Sequence, residues 1–436
     1  MIKKIDRFFH ITERGSSFKT EFTAGLATGL SMIYIIAVNP AILGTIGGIM
    51  QPGSIFTATI LVTVISTLLM GFLARVPVAV SIGMGLNAYF AFVVCGAMGF
   101  DPRVGLAAIF LEGTLFFLVS ICGLRESITK AIPDNIKTGI AVSIGVFIAL
   151  VGLIHGGVVI PHPSTIVSFA KLTQGPALLT FIGLIIIVVL HANKIPGGVI
   201  IAIVLTTLIG IPMGVTVMPE HFNPFSMPAK PYMAQFDFSQ IFTGRFALVL
   251  VTLAIANFFD TVGTLTSVLS ISKLTHKNGN FPHIKEAYVS DSLAAVISSV
   301  FSVSPATAYV ESGVGAAAGA RTGFANIATA LLFLAALFFS PVFLIMPASA
   351  TAPALIFVGY LMMSQITEVQ FADFSEGFPV YLGILACVFG YSITTGIIFS
   401  VISYTVIKIC IGKAKEVPLG TYLLTAFFIL QFFLPK

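Results

Sequence analysis

Apolar windows follow one another along almost the whole chain, fifteen of them between residues 23 and 434, with only short polar breaks between them. A helix crosses the hydrocarbon core of a bilayer with about 20 apolar residues, and backbone inside that core must satisfy its own hydrogen bonds. With 57% hydrophobic and 9% charged residues over 436 positions, no stretch is left for a water-soluble domain. The pattern predicts an all-α polytopic membrane protein built as one membrane domain.

The start, 1-MIKKIDRFFHITERGSSFKTEF-22, interleaves Ile2, Ile5, Phe8 and Phe9 with Lys3, Lys4 and Arg7. It lacks the apolar core and cleavage site of a signal peptide and is expected to lie as a helix on the cytoplasmic membrane surface. With this end inside, Arg75, the Arg125/Lys130/Lys137 cluster, Lys194, the 273–285 loop with His276, Arg321 and the Lys408/Lys413/Lys415 cluster all fall on the cytoplasmic side of fourteen spans ending at residue 411. The net charge of +5 is spread over loops and forms no stripe, so no nucleic-acid partner is expected. Cys95, Cys122, Cys387 and Cys410 stand singly in apolar stretches, which signals packing and neither a disulfide framework nor a metal site.

Weak self-similarity divides the spans. The text 195-IPGGVIIAIVLTTLI-209 aligns without gaps on 393-ITTGIIFSVISYTVI-407, Pro133 and Gly145 share the spacing of Pro347 and Gly359, and Asn39 pairs with Asp260. The halves are then residues 23–212 and 244–411, joined by an extracytoplasmic loop at 213–243 and followed by an apolar segment at 412–436. Seven spans per half is odd, so the two repeats are inverted relative to each other.

Two spans read badly as helices. In 76-VPVAVSIGMGLNAYFAFVV-94 and 299-SVFSVSPATAYVESGVGAAAGA-320 an extended, proline-bearing start runs into a Gly-rich half-helix. These third and tenth spans are repeat partners, so short β-strands and half-helices are expected to meet near mid-membrane and form a polar pocket. Glu311 and Asn87 fall at the starts of the two half-helices, and Asp260 falls mid-span in the neighbouring eighth. Each acid has two possible roles, as a proton carrier or ligand, or as a cap for a helix break. With Tyr89, Phe90 and Tyr309 nearby, such a pocket suits a flat, uncharged heterocycle that stacks and pairs its N–H edge with a carboxylate. These rings have packing as their alternative use. Glu112 is a third intramembrane acid, read as a structural or gating contact. Gly313, Gly315 and Gly319 lack the Gly-Lys-Ser/Thr ending of a phosphate loop and signal close helix packing instead. No nucleophile/base pair or metal-ligand spacing is present, so neither catalysis nor a cofactor is expected.

At 12-TERGSSFKTEFTAGLATGLSMIYIIAVNPAIL-43, 83-GMGLNAYFAF-92, 110-FLEG-113, 258-FFDTVGTL-265 and 309-YVESGVGAAAGARTGF-324 the chain resembles the AzgA-like purine permeases. These are a branch of the nucleobase/cation symporter superfamily. The resemblance implies a core domain (spans 1–4 and 8–11), a gate domain (spans 5–7 and 12–14), and proton-coupled uptake of hypoxanthine, guanine or adenine across a bacterial-type cytoplasmic membrane, with homodimers expected. It further implies that Asn87, Asp260 and Glu311 contact the base, that Tyr309 and Phe90 or Tyr89 flank it, and that Asp260 or Glu311 carries the coupled proton. Ser81-Ile82 and Gly390 depart from the family pattern, which bears on the choice of purine. An anion exchanger or channel on the same architecture is the alternative, and it would rely on Arg321, the basic residue nearest the half-helices.

Overall fold

The computed structural model describes residues 2–123, 133–195, 197–219, 221–274 and 283–433. Arg125, Lys130, His276 and most of the 273–285 loop, which carry part of the charge argument, lie outside the described residues, as does the end of the last apolar segment.

Helix boundaries follow local chemistry. After α1 (Ile2–Phe9), Ser17 accepts from Thr20 N and opens α2 (Phe18–Met32), and α3 (Ile35–Leu43) continues the first span after an offset at Ile33 and Tyr34. Prolines, harmless in a first turn, start α4 (Pro52–Leu69) and α6 (Pro102–Ile121). Between these, strand β1 (Val80–Ile82) leads into α5 (Met84–Ala88), which widens into a π-helical stretch over Tyr89–Ala97. Then come α7 (Asp134–His155), a hairpin of β2 (Val159–His162) and β3 (Ile166–Phe169), α8 (Gly175–Ala192) and α9 (Gly198–Gly210). The hairpin lies in a stretch the apolar windows leave as a simple break.

The second half opens with α10 (Gly244–Ile271), capped by Thr243, and α11 (Ile284–Val300). Strand β4 (Ala306–Ala308) precedes α12 (Ser312–Ala317), and α13 (Ala325–Ala336), α14 (Ser340–Leu344) and α15 (Ala348–Met363) follow. Ser392 caps α17 (Ile393–Cys410) and separates it from α16 (Phe374–Phe389); α18 (Leu419–Phe433) packs against α17. Among the described residues nine helices are long and apolar enough to cross a membrane, and four shorter apolar helices accompany them. This is a multi-pass, mostly helical membrane protein.

The helices pack in two groups. In one, α2 and α4 pack on α13, and α6 packs on α10 and α11; in the other, α7 packs on α15 and α16, α8 on α9 and α15, and α16 on α17. A close seam joins α7 to α15 at Gly145 and Gly359, where a Cβ on either would lie 2.8 or 2.5 Å from the other's carbonyl oxygen. Only glycine lets two backbones approach this closely.

β1 and β4 pair antiparallel in register Val80↔Ala308, Ser81↔Thr307, Ile82↔Ala306, and every one of these residues is buried. Tyr309 N→Ala79 O and Gly83 N→Pro305 O, each 2.9 Å, extend the ladder at its ends. A two-stranded ribbon still leaves outer edges, which water cannot satisfy at this depth. Side chains of adjoining helices do so instead. Thr67 exchanges hydrogen bonds with Val80 N (3.0 Å) and Val80 O (2.9 Å), Ser312 Oγ accepts from Ala79 N at 2.9 Å, and Asp291 Oδ1 accepts from Ala308 N at 3.0 Å.

The N-terminal segment differs from a helix that merely rests on the bilayer. Phe9 and Ile11 are 3% and 1% exposed, and Phe9 packs on Phe72 and Phe324, so the segment is docked onto the helix ends of the first group.

Candidate substrate-binding cavity

Beside the strand crossing lies a cavity of about 920 Å³, within the size range of small-molecule sites. It is lined by Tyr34, Met84, Asp260, Tyr309 and Glu311 together with Thr264, Ser267, His191, Lys194 and Gln365. Asp260 comes from the middle of α10. Glu311 is the residue before α12 and makes no side-chain cap to it; the turn from β4 aims its carboxyl instead at the interruption between α2 and α3. There Tyr34 Oη donates to Glu311 Oε1 at 2.5 Å. Tyr309 Oη donates to Ile82 O at 2.7 Å, which fixes its ring against the cavity across the two strands.

Glycine sets the position of α12. A Cβ on Gly315 would lie 2.6 Å from Ala24 O and closer still to Thr28 Oγ1, so α12 sits directly on α2. Gly315 thus serves close helix packing, whereas a Cβ on Gly313 would meet nothing nearer than Ile271 at 3.4 Å.

Asp260, Tyr309 and Glu311 are brought together at the cavity. Asn87, Tyr89 and Phe90 stand behind its lining. Asn87 is fully buried, with Oδ1 accepting from Ser304 Oγ at 3.1 Å and Nδ2 without a hydrogen-bond partner among the described residues. The Tyr89 hydroxyl accepts from Thr394 Oγ1 at 2.9 Å, linking the two helix groups, and the Phe90 ring packs over Gly105. Glu112 is also fully buried and away from the lining. Its Oε1 accepts from Asn257 Nδ2 at 2.9 Å, one turn of α10 before Asp260.

Two residues of consequence escaped the sequence reading. Tyr34 gave a signal in 31-SMIYIIAVN-39, a tyrosine in mid-span where its hydroxyl needs a partner. Asp291 lies in the serine-rich run 288-YVSDSLAAVISS-299 and is 1% exposed. Its Oδ2 accepts from Thr261 Oγ1 at 2.7 Å, while Oδ1 holds the β4 backbone. It thereby ties the strand to α10 at the residue after Asp260.

Known proteins place this architecture. The chain superposes on the transmembrane domain of a cyanobacterial bicarbonate transporter, BicA, with a TM-score of 0.68 over 88% of this chain and 97% of that one, at 16% identity, a likeness of fold. It is 39% identical to the guanine/hypoxanthine permease PbuG of Bacillus subtilis, covering 98% of this chain and 99% of the relative. It is 36% identical to the adenine permease AdeQ of Escherichia coli, covering 99% and 96%. These relatives are permeases and not enzymes. Residues 19–399 match the model of the Permease family, Xan_ur_permease, so the chain belongs to that family of membrane transporters.

Proposed function

We propose that the protein is a secondary active transporter that imports a purine base together with protons. The observation that carries this reading is the cavity itself: two carboxyl groups, Asp260 and Glu311, beside two tyrosines, Tyr34 and Tyr309, in one lining. A purine is flat and uncharged, with an N–H edge that pairs with a carboxylate and faces that stack on rings. The relatives that carry guanine, hypoxanthine and adenine support this substrate class. Asp260 lies within electrostatic reach of Glu311 and Asp291. A proton taken up by Asp260 or Glu311 removes repulsion among these acids, so its binding and that of the base favour each other.

The same reading takes the fold as fourteen spans in two inverted repeats of seven, residues 23–212 and 244–411, with the N-terminus in the cytoplasm of a bacterial-type cell and α18 outside the repeat. The packing supports it, because contacts come in exchanged pairs. Where α2 meets α13, α10 meets α6; where α7 meets α16, α15 meets α8; where α8 meets α9, α16 meets α17. The repeat-matched Gly145 and Gly359 touch each other, and so do the repeat-matched strands β1 and β4, as elements on a two-fold axis must. The first helix group is then the core that carries the site and the second the gate. With Lys194 on the cytoplasmic side by the positive-inside rule, the cavity lining reaches toward that side.

The anion-transport alternative loses its cation. Arg321 Nη1 donates to Ala316 O and Ala320 O, both at 2.7 Å, at the far end of α12 and away from the cavity. Equilibrium binding of labelled hypoxanthine, guanine, adenine, xanthine and uracil to the purified protein tests the assignment. A purine should bind and be displaced by other purines, with binding lost in Glu311→Gln. Binding of uracil alone, or of bicarbonate in place of any base, would overturn it.

A further inference from the structure

Lys3, Lys4 and Arg7 form an exposed basic face on α1, while the acids of the same segment are engaged within it. Asp6 accepts from Thr12 N and Thr12 Oγ1, both at 2.9 Å, and Glu13 meets His10 at 2.6 Å. The helix stands at the foot of a span. Phe8 and Phe9 lie 6.1 and 5.6 Å, centroid to centroid, from Phe72 near the end of the Pro52–Ala74 helix. Phe8, Phe72 and Leu73 together keep an apolar surface that is 39%, 45% and 43% exposed. A bilayer that covers Phe72 and Leu73 brings its headgroups level with α1. Residues 1–21 with Arg75 and Arg321 carry seven basic and three acidic side chains, so that level is strongly positive.

We infer that α1 is a recognition surface for anionic phospholipid headgroups of the bilayer, held by Lys3, Lys4 and Arg7 while Phe8 enters the acyl boundary. The segment that follows connects this contact to the site. Arg14 Nη1 donates to Arg75 O at 2.6 Å and to Arg321 O at 3.1 Å, the turns that precede the third span and follow the tenth. Glu21, fully buried, accepts from the backbone N–H groups of Arg321 and Thr322 at 2.8 and 3.2 Å. A lipid on α1 therefore bears on both interrupted spans at once and steadies the strand crossing that carries Glu311.

Native mass spectrometry of the full-length protein in detergent, titrated with phosphatidylglycerol or phosphatidylcholine, tests this without reference to substrate. The wild type should retain phosphatidylglycerol selectively, and Lys3→Ala/Lys4→Ala/Arg7→Ala should weaken that retention on the order of 100-fold, about fivefold for each charge removed. The charge-preserving variant Lys3→Arg/Lys4→Arg should keep it, and in the wild type selectivity should fall with salt. Equal retention of both lipids by the wild type, or phosphatidylglycerol retention unchanged in the triple variant, overturns the inference. So does equally effective competition by inorganic phosphate, which would make the surface a phosphate site and not a bilayer contact. All three side chains are exposed, so the triple variant should unfold in lipid-free detergent at the wild-type temperature, and the salt dependence needs no variant at all.

Discussion

Replacing Asp291 by alanine removes the side chain that fastens β4 to α10 while leaving every cavity-lining residue in place. Both of its oxygens accept, one from Ala308 N at 3.0 Å and one from Thr261 Oγ1 at 2.7 Å. Hydrogen bonds to a charged acceptor contribute about 1.5–3 kcal/mol each, so losing both in Asp291→Ala should cost roughly 3–5 kcal/mol. Asp291→Asn keeps one acceptor and should cost about half as much. In a chain of 436 residues, at about 2.1 cal/mol/K of unfolding entropy per residue, that corresponds to a fall of roughly 3–5 °C in apparent unfolding temperature for alanine. The chain has no tryptophan to report unfolding. A thiol-reactive dye in a Cys95→Ser/Cys122→Ser/Cys410→Ser background can do so instead, because the remaining, buried Cys387 becomes available when the helices separate. Base affinity should fall in parallel, since β4 leads directly into Tyr309 and Glu311. If Asp291→Asn unfolds at the wild-type temperature and binds base unchanged, the fastening role is wrong.

Three further outcomes follow from single contacts. Tyr34→Phe keeps the ring and removes the donor on Glu311, so base affinity measured by radioligand binding should drop on the order of tenfold with little loss of stability; unchanged affinity would separate this hydroxyl from the site. Gly315→Val drives side-chain atoms into α2 and should cost about 1–3 kcal/mol and most transport, whereas Gly263→Ala, with nothing within 4 Å of its Cβ, should unfold like wild type. Lys408, 2% exposed, bonds Glu376 at 2.7 Å and Glu416 at 2.8 Å, and the hydrogen bond from Lys408 holds the exposed Glu416 carboxyl below its usual pKa. A carboxyl with a lowered folded-state pKa contributes stability at neutral pH that is lost as pH falls through that range. The advantage of wild type over Glu416→Gln in thermal unfolding should therefore shrink on acidification, and an advantage that grows would contradict the pairing.

The membrane class and the interrupted third and tenth segments were legible in the sequence because each leaves a local mark. Apolar length marks a helix, and proline followed by Gly-x-Gly marks a break, as at Pro77, Gly83 and Gly85. Asp260 and Glu311 could be found because an acid in an apolar run is costly wherever it points. The reach of a side chain left no such mark. Asn87, Tyr89 and Phe90 have the right chemistry and the right segment, yet face away from the cavity lining, since one turn of helix decides the direction. Asp291 was hidden for the opposite reason: its run is polar enough that the acid does not stand out, and its partners Thr261 and Ala308 are set by packing between distant segments. The β2–β3 hairpin left only two short β-branched pairs, Val159–Ile160 and Ile166–Val167, in a stretch that reads as a loop.

The central claim is that this cavity moves a purine base with a proton. Its most direct test is uptake of labelled hypoxanthine, guanine and adenine into liposomes containing the purified protein, with an inward proton gradient imposed or collapsed by an uncoupler, and with Asp260→Asn alongside. At least one purine should accumulate, in a manner that requires the gradient and is abolished or uncoupled by Asp260→Asn. Accumulation indifferent to both the uncoupler and Asp260→Asn, or none from a folded wild-type protein, would contradict it.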